Sequence, residues 1–134
     1  MQGDLETILI IDDDPTLRAM CKSALEQKGY RVLEAQNGSA ADKVFKSQKI
    51  DIVFLDILMP DKDGLETLLD IRRNNPSIYV YAMSGGGRKG NFGYLDIARR
   101  FGADEVVKKP FLPSTLIELI QSRTAPQDRA SHSA

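Results

Sequence analysis

The sequence predicts an α/β domain in which helices cover both faces of a parallel sheet. Short, nearly continuous apolar runs alternate along the chain with segments whose apolar residues recur at helical spacing. Such runs are typical of strands buried on both faces, and their alternation with helices favours parallel pairing through right-handed crossovers. The chain has 134 residues, close to the size of one domain. We therefore expect a single doubly wound domain of five βα units.

Five segments have a strand pattern. The clearest are the apolar runs at residues 7–11, 52–55 and 78–83. Residues 31–35 and 105–107 show a weaker form of the same pattern. Since a helical pattern follows each run, all five strands are expected to point the same way.

Five helices are predicted after these strands. The first is expected to start at an Asp14 cap with Pro15 in its first turn, and to end before Gly29. The other four are predicted at 39–47, 63–74, 91–101 and 114–123. The apolar residues expected to face the core are Leu17, Met20, Cys21, Ala24 and Leu25 in the first helix, Ala40, Ala41, Val44 and Phe45 in the second, Leu65, Leu68 and Leu69 in the third, and Leu116, Ile117 and Ile120 in the fifth.

Composition argues against several classes of function. The 18 basic and 19 acidic residues give a net charge of −1, so we expect no nucleic-acid binding. No apolar run approaches the roughly 18 residues that span a bilayer, and the amino terminus lacks a signal pattern, so no membrane insertion is expected. The single cysteine, Cys21, fits a cytoplasmic location and is expected to pack in the core. We expect an N-terminal extension at 1–6, one domain at 7–123 and a flexible tail at 124–134.

Polar residues with related chemistry follow four of the predicted strands. Asp12 and Asp13 follow the first strand, Asp56 the third, Ser84 the fourth and Lys109 the fifth. Ligands of open α/β sheets bind at the carboxyl ends of the strands, so these side chains are expected to converge. Carboxylates suit Mg²⁺, and a lysine can pair with a phosphoryl group. The pattern predicts a metal-assisted phosphoryl site at which the carboxylate of residue 56 becomes an acyl phosphate.

These motifs resemble the receiver domain of two-component response regulators. The matching segments are ILIIDDDP at 8–15, FLDILMPDKDG at 54–64, Met-Ser at 83–84 and Lys-Pro-Phe at 109–111. The resemblance covers about residues 7–122, in the right order. It implies the flavodoxin-like fold, with strand order 2-1-3-4-5.

The resemblance also implies how the phosphoryl group is handled. Asp56 would accept it from a sensor histidine kinase or a histidine phosphotransferase. Lys109 would pair with the phosphoryl oxygens, and Ser84 would hydrogen-bond one of them. The Lys109–Pro110 peptide bond is cis in the family, which aims the lysine at the site. The chain would thus be a signalling domain that assists its own phosphorylation and dephosphorylation, not an enzyme with other substrates.

Mg²⁺ is the cofactor that the resemblance implies. Asp13 and Asp56 would bind it directly, Asp12 would act through a water molecule, and the main-chain carbonyl of Leu58 would complete the protein ligands. The phosphorylated chain would change conformation and signal to a downstream protein that the residues do not identify. A phosphorylation-dependent dimer is compatible with this reading.

Three positions depart from the family pattern. Most receivers have an aromatic residue three positions before the lysine, but this chain has Val106. Because valine has little rotameric freedom, we hypothesise that signalling uses backbone movement in the loop at 85–93. Leu58 and Gly86, at positions that tune self-hydrolysis in the family, offer an attacking water no hydrogen-bond partner. We therefore expect slow loss of the phosphoryl group.

One enzyme remains as an alternative. The pattern Asp12-x-Asp14-x-Thr16 after an apolar strand resembles the first motif of haloacid-dehalogenase-type phosphatases, in which Asp12 would be the nucleophile. Against it, Pro15 replaces the common glycine and the chain is short for that fold.

Overall fold

Strands and helices alternate along the whole described part of the chain. The computed structural model describes residues 5–58, 64–85 and 92–123, apart from the side chains of residues 92–95. The elements are β1 (Thr7–Ile11), α1 (Pro15–Gln27), β2 (Arg31–Ala35), α2 (Gly38–Ser47), β3 (Ile52–Asp56), α3 (Gly64–Asn74), β4 (Tyr79–Ser84), α4 (Phe92–Arg100), β5 (Glu105–Lys108) and α5 (Pro113–Gln121). The predicted βα alternation is confirmed.

The strands form one parallel sheet in the order β2-β1-β3-β4-β5. In the register, Ile11 of β1 pairs with Leu55 of β3, Asp56 pairs with Met83 of β4, and Ser84 pairs with Lys108 of β5. Chain order reverses between β1 and β3, the point at which open α/β sheets bind their ligands. The strand order expected from the resemblance is confirmed, and it brings the ends of β1, β3, β4 and β5 to one edge.

Two apolar layers cover the sheet, one on each face. Leu9 and Ile11 of β1 pack in the layer that holds buried residues of α2, α3 and α4. Ile8 and Ile10 pack in the opposite layer, with α1 and α5. All four are at most 1% exposed, which explains why the run reads as continuously apolar. Cys21 packs in the second layer as expected, and burial is the main cause that raises its pKa to about 11.

The ends of α1 follow from local chemistry. The Asp14 side chain accepts hydrogen bonds from the amides of Thr16 and Leu17, at 3.0 and 3.3 Å. Pro15 occupies the first turn, where no amide hydrogen is needed. Gly29, just after the helix, has a φ of +97°, which residues with a side chain rarely adopt. The predicted start and stop of this helix are confirmed.

Two inward-facing predictions are wrong. Met20 of α1 is 47% exposed and Leu69 of α3 is 38% exposed, because each lies at the edge of its apolar stripe. In α3 the face toward the sheet instead includes Gly64, Thr67 and Ile71. A Cβ on Gly64 would lie 2.2 Å from the Cα of Ile57, so α3 starts in direct contact with the main chain that leaves β3.

Several predictions fall outside the described residues. They concern residues 1–4 of the predicted extension, the predicted tail at 124–134, and positions 86–91 of the loop after β4. Within the described ranges, no helix combines the length and apolar character needed to cross a membrane.

Candidate functional site

Three carboxylates meet at the edge where β1 and β3 end. Asp12 and Asp13 directly follow β1, and Asp56 is the last residue of β3. One oxygen from each lies within 4.8 Å of the others. Asp12 and Asp56 are 0% and 3% exposed, whereas Asp13 is exposed. The cluster therefore has a buried floor and one carboxylate at the solvent side.

Lys109 joins two of these carboxylates. Its Nζ donates to Oδ2 of Asp12 at 2.7 Å and to Oδ2 of Asp56 at 3.3 Å. Its main-chain amide donates to the carbonyl of Ser84 at 2.8 Å, which holds the start of the β5–α5 connection against β4. The following Lys109–Pro110 peptide bond is cis. The lysine predicted from the sequence thus lies between two predicted carboxylates.

The cluster carries excess negative charge. Three carboxylates against one ammonium leave a formal surplus of two negative charges, which a divalent cation would balance. Burial is the main cause that raises the pKa of Asp56 to about 6, and the Asp12 charge adds to it, while contacts with Leu58 and Lys109 oppose it. For Lys109, burial lowers the pKa, but its contacts with Asp12 and Asp56 outweigh burial and the net shift is upward. The lysine stays charged at neutral pH.

Main-chain amides hold the two buried carboxylates in place. The amide of Asp14 donates to Oδ1 of Asp12 at 2.9 Å, and the amide of Leu58 donates to Oδ1 of Asp56 at 3.0 Å. Leu58, whose carbonyl is a predicted ligand, therefore directly adjoins the acidic cluster. Carboxylates and a main-chain carbonyl form an all-oxygen donor set, which fits a hard cation such as Mg²⁺.

Ser84 lies beside the cluster at the end of β4. It is 0% exposed and pairs in register with Lys108, the residue before the site lysine. The structure thus brings the side chains of Asp12, Asp13, Asp56 and Lys109 together. Ser84 is joined to this group by the hydrogen bond from the Lys109 amide to its carbonyl.

One nearby contact was not anticipated from the sequence. Nη1 of Arg18 in α1 donates to the main-chain carbonyl of Asp12 at 2.6 Å, and its Nε pairs with Glu34 of β2 at 3.0 Å. The only feature of the sequence that pointed to this contact was the position of Arg18, one turn after the Asp14 cap and next to the inward-facing Leu17. An arginine on a helix surface is usually solvated, so this signal is weak.

Comparisons with known proteins agree on one family. The family model described as the response regulator receiver domain matches residues 8–121. Chemotaxis protein CheY of Listeria monocytogenes is 36% identical over 115 residues, which cover 85% of this chain and 94% of CheY. Phosphate regulon transcriptional regulatory protein PhoB of Pseudomonas aeruginosa is 33% identical over 92% of this chain, but the match covers only 55% of PhoB.

Solved structures lead to the same family. The crystal structure of a CheY-like response regulator receiver domain protein from Methanospirillum hungatei superposes with a TM-score of 0.81 and 26% identity, covering 96% of this chain and 99% of that one. A receiver domain protein from Clostridium thermocellum gives a TM-score of 0.80 with 28% identity, over 97% and 100% of the two chains.

These matches decide between the two functions considered. Receiver domains accept a phosphoryl group in two-component signalling and interact with histidine kinases or phosphotransfer proteins; they are signalling domains and not classical enzymes. The phosphatase alternative finds no support among the comparisons. The chain belongs to the response regulator receiver domain family and is a phospho-accepting component of two-component signalling.

Proposed function

We propose that Asp56 is the residue that accepts the phosphoryl group. The observation that carries this proposal is the position of Lys109, whose Nζ lies 3.3 Å from Oδ2 of Asp56. A phosphoryl group on that oxygen would be next to a fixed positive charge. Asp12 is less suited, because it is completely buried and its Oδ2 holds the same ammonium at the shorter distance of 2.7 Å.

The side chains have distinct roles in the transfer. Above a pH of about 6 the Asp56 carboxylate is ionised, so an oxygen of it can attack the phosphorus of a phosphohistidine. The new O–P bond forms as the P–N bond breaks, and the imidazole leaves with the bonding electron pair. Lys109 pairs with the phosphoryl oxygens, and the Ser84 hydroxyl donates to one of them.

Mg²⁺ is the cofactor in this proposal. Asp13 and Asp56 would hold it directly, Asp12 would act through a water molecule, and the carbonyl of Leu58 would complete the protein ligands. When bound, it supplies positive charge that offsets the phosphoryl oxygens. The three converging carboxylates support this assignment, because Lys109 offsets only one of their three negative charges and the remainder repel until a divalent cation binds. The same residues would assist loss of the phosphoryl group to water.

Phosphorylation would then alter the surface that a partner binds. The phosphoryl group adds a dianionic centre that attracts Lys109 and Ser84. Ser84 ends β4, and its carbonyl accepts from the Lys109 amide, so movement of either is passed to β5. In this proposal the receiver domain spans residues 7–123 and acts in the cytoplasm. Its phosphoryl group comes from a sensor histidine kinase or a histidine phosphotransferase. The phosphorylated domain then signals to a downstream protein or forms a dimer. The single free cysteine fits that compartment.

The test uses acetyl phosphate as the phosphodonor. Wild type, Asp56→Asn and Asp12→Asn are each incubated with and without Mg²⁺, and intact mass is measured. Wild type should gain one phosphoryl mass only with Mg²⁺, and Asp56→Asn should gain none. Peptide mapping of the trapped acyl phosphate should place it on Asp56. A phosphoryl group mapped to Asp12 would overturn the assignment, as would modification of Asp56→Asn at the wild-type rate.

A further inference from the structure

Arg18 ties the loop that carries two of the site carboxylates to a neighbouring strand. Its side chain is only 15% exposed and hydrogen-bonds to two groups of the described residues. Nη1 donates to the Asp12 carbonyl at 2.6 Å, and Nε meets Oε1 of Glu34 in β2 at 3.0 Å. The amide of Asp12 donates to the carbonyl of Ala35, also in β2, at 3.1 Å. Both main-chain groups of Asp12 are therefore held relative to β2.

The carbonyl that Arg18 holds is part of the peptide unit that joins Asp12 to Asp13. Asp12 has further anchors, because its two carboxylate oxygens contact the Asp14 amide and Lys109. The Asp13 carboxylate is exposed and has no hydrogen bond or ion pair with any described residue. Its direction thus depends on the orientation of the peptide unit that precedes it.

We propose that Arg18 is a positioning residue that sets the Mg²⁺ affinity of the site by orienting the Asp12–Asp13 peptide. This inference rests on the proposed function, in which Asp13 is a direct ligand. A guanidinium fork suits the task, since it can donate to a carbonyl and a carboxylate at once. Groups that orient metal ligands typically change metal affinity 10- to 100-fold when they are removed.

The charge of Arg18 acts in the opposite direction to its positioning role. A positive charge beside an acidic cluster opposes cation binding, so its removal alone would tighten Mg²⁺ binding. Loss of positioning would weaken it. Lys22 provides a matched control, because its ammonium meets the same Glu34 carboxylate at 3.8 Å and no hydrogen bond links it to the Asp12 carbonyl. The sign of the change therefore separates the two effects.

The experiment titrates Mg²⁺ alone into the full chain by isothermal calorimetry. Arg18→Met should raise the Kd roughly tenfold, and Arg18→Lys, which keeps the charge but lacks the fork, should raise it severalfold. Lys22→Met should leave the Kd within about twofold of wild type, or lower it. With acetyl phosphate, Arg18→Met should need more Mg²⁺ for half-maximal phosphorylation but reach a rate close to wild type at saturation.

Other outcomes would overturn the inference. They are an Arg18→Met Kd equal to or below wild type, an Arg18→Lys Kd equal to wild type, or a lower saturating rate with unchanged Mg²⁺ dependence. A purely structural role would lower the melting temperature without changing the Kd of the folded chain, and Arg18→Lys provides the measurement if Arg18→Met does not fold. Failure of wild type to bind Mg²⁺ would instead count against the proposed function.

Discussion

Neutralising the buried carboxylate of Asp56 should stabilise the protein in the absence of Mg²⁺. Asp56 is 3% exposed, and its pKa is raised from 3.8 to about 6, mainly by burial. Because the folded chain binds this proton more tightly than the unfolded chain, ionisation of Asp56 costs stability. The cost is fully present above pH 6 and is lost as the pH falls toward 3.8.

The size of this effect follows from the shift. The rise of the Asp56 pKa from 3.8 to about 6 corresponds to about 3 kcal/mol at a pH of about 7.5, and linkage leaves about 1 kcal/mol at a pH of about 4.5. Asp56→Asn removes the charge but keeps an oxygen for the Leu58 amide. We therefore expect its free energy of unfolding to exceed that of wild type by about 3 kcal/mol near pH 7.5 and by much less near pH 4.5.

Urea denaturation with a chelator present measures both values. Asp13→Asn is the matched control: it removes the same charge from the same cluster, but at an exposed position, so its gain in stability should be clearly smaller. Added Mg²⁺ should narrow the difference by stabilising wild type more than Asp56→Asn. A difference between wild type and Asp56→Asn that does not change between the two pH values would refute the reasoning, as would a less stable Asp56→Asn near pH 7.5.

Three further changes test other parts of the molecule. Lys109→Met should lower the free energy of unfolding by about 3 kcal/mol without Mg²⁺, because two buried carboxylates lose their ammonium; an unchanged urea midpoint would contradict this. Wild type should keep its phosphoryl group far longer than seconds, and Leu58→Asn should shorten the lifetime roughly fivefold by offering the attacking water a hydrogen bond, as followed by intact mass over time. Gly64→Ala should cost about 1–3 kcal/mol in thermal unfolding, since its Cβ would meet the main chain of Ile57; a wild-type melting temperature would show that α3 can shift freely.

The fold was predictable because short apolar runs, typical of buried strands, alternate without interruption with segments whose apolar residues recur at helical spacing. The run at 7–11 is apolar at nearly every position since both layers of the core meet at β1. The same signal does not say which edge of an apolar stripe meets the sheet, and so Leu69 was wrongly placed inside. Thr67 and Gly64 lie on the buried face with Leu68 and Ile71, and at Gly64 the helix approaches β3 so closely that a side chain would meet the main chain of Ile57.

The convergence of the candidate site was predictable for a different reason. In a parallel sheet all carboxyl ends share an edge, so Asp12, Asp56 and Lys109 had to meet once their strands were identified. The contact of Arg18 with the Asp12 carbonyl was not predictable, because it depends on the angle at which α1 crosses β2. Nothing in the spacing of Arg18 and Glu34 along the chain reports that angle.

The position of Asp56 at the last residue of an interior strand has a consequence for how such a domain can diversify. The strand pairs with β1 on one side and β4 on the other, so the carboxylate proposed to accept the phosphoryl group is held by the centre of the sheet. Sequence change on the outer surfaces of the helices can therefore create new recognition partners while the chemistry at the sheet edge is left untouched.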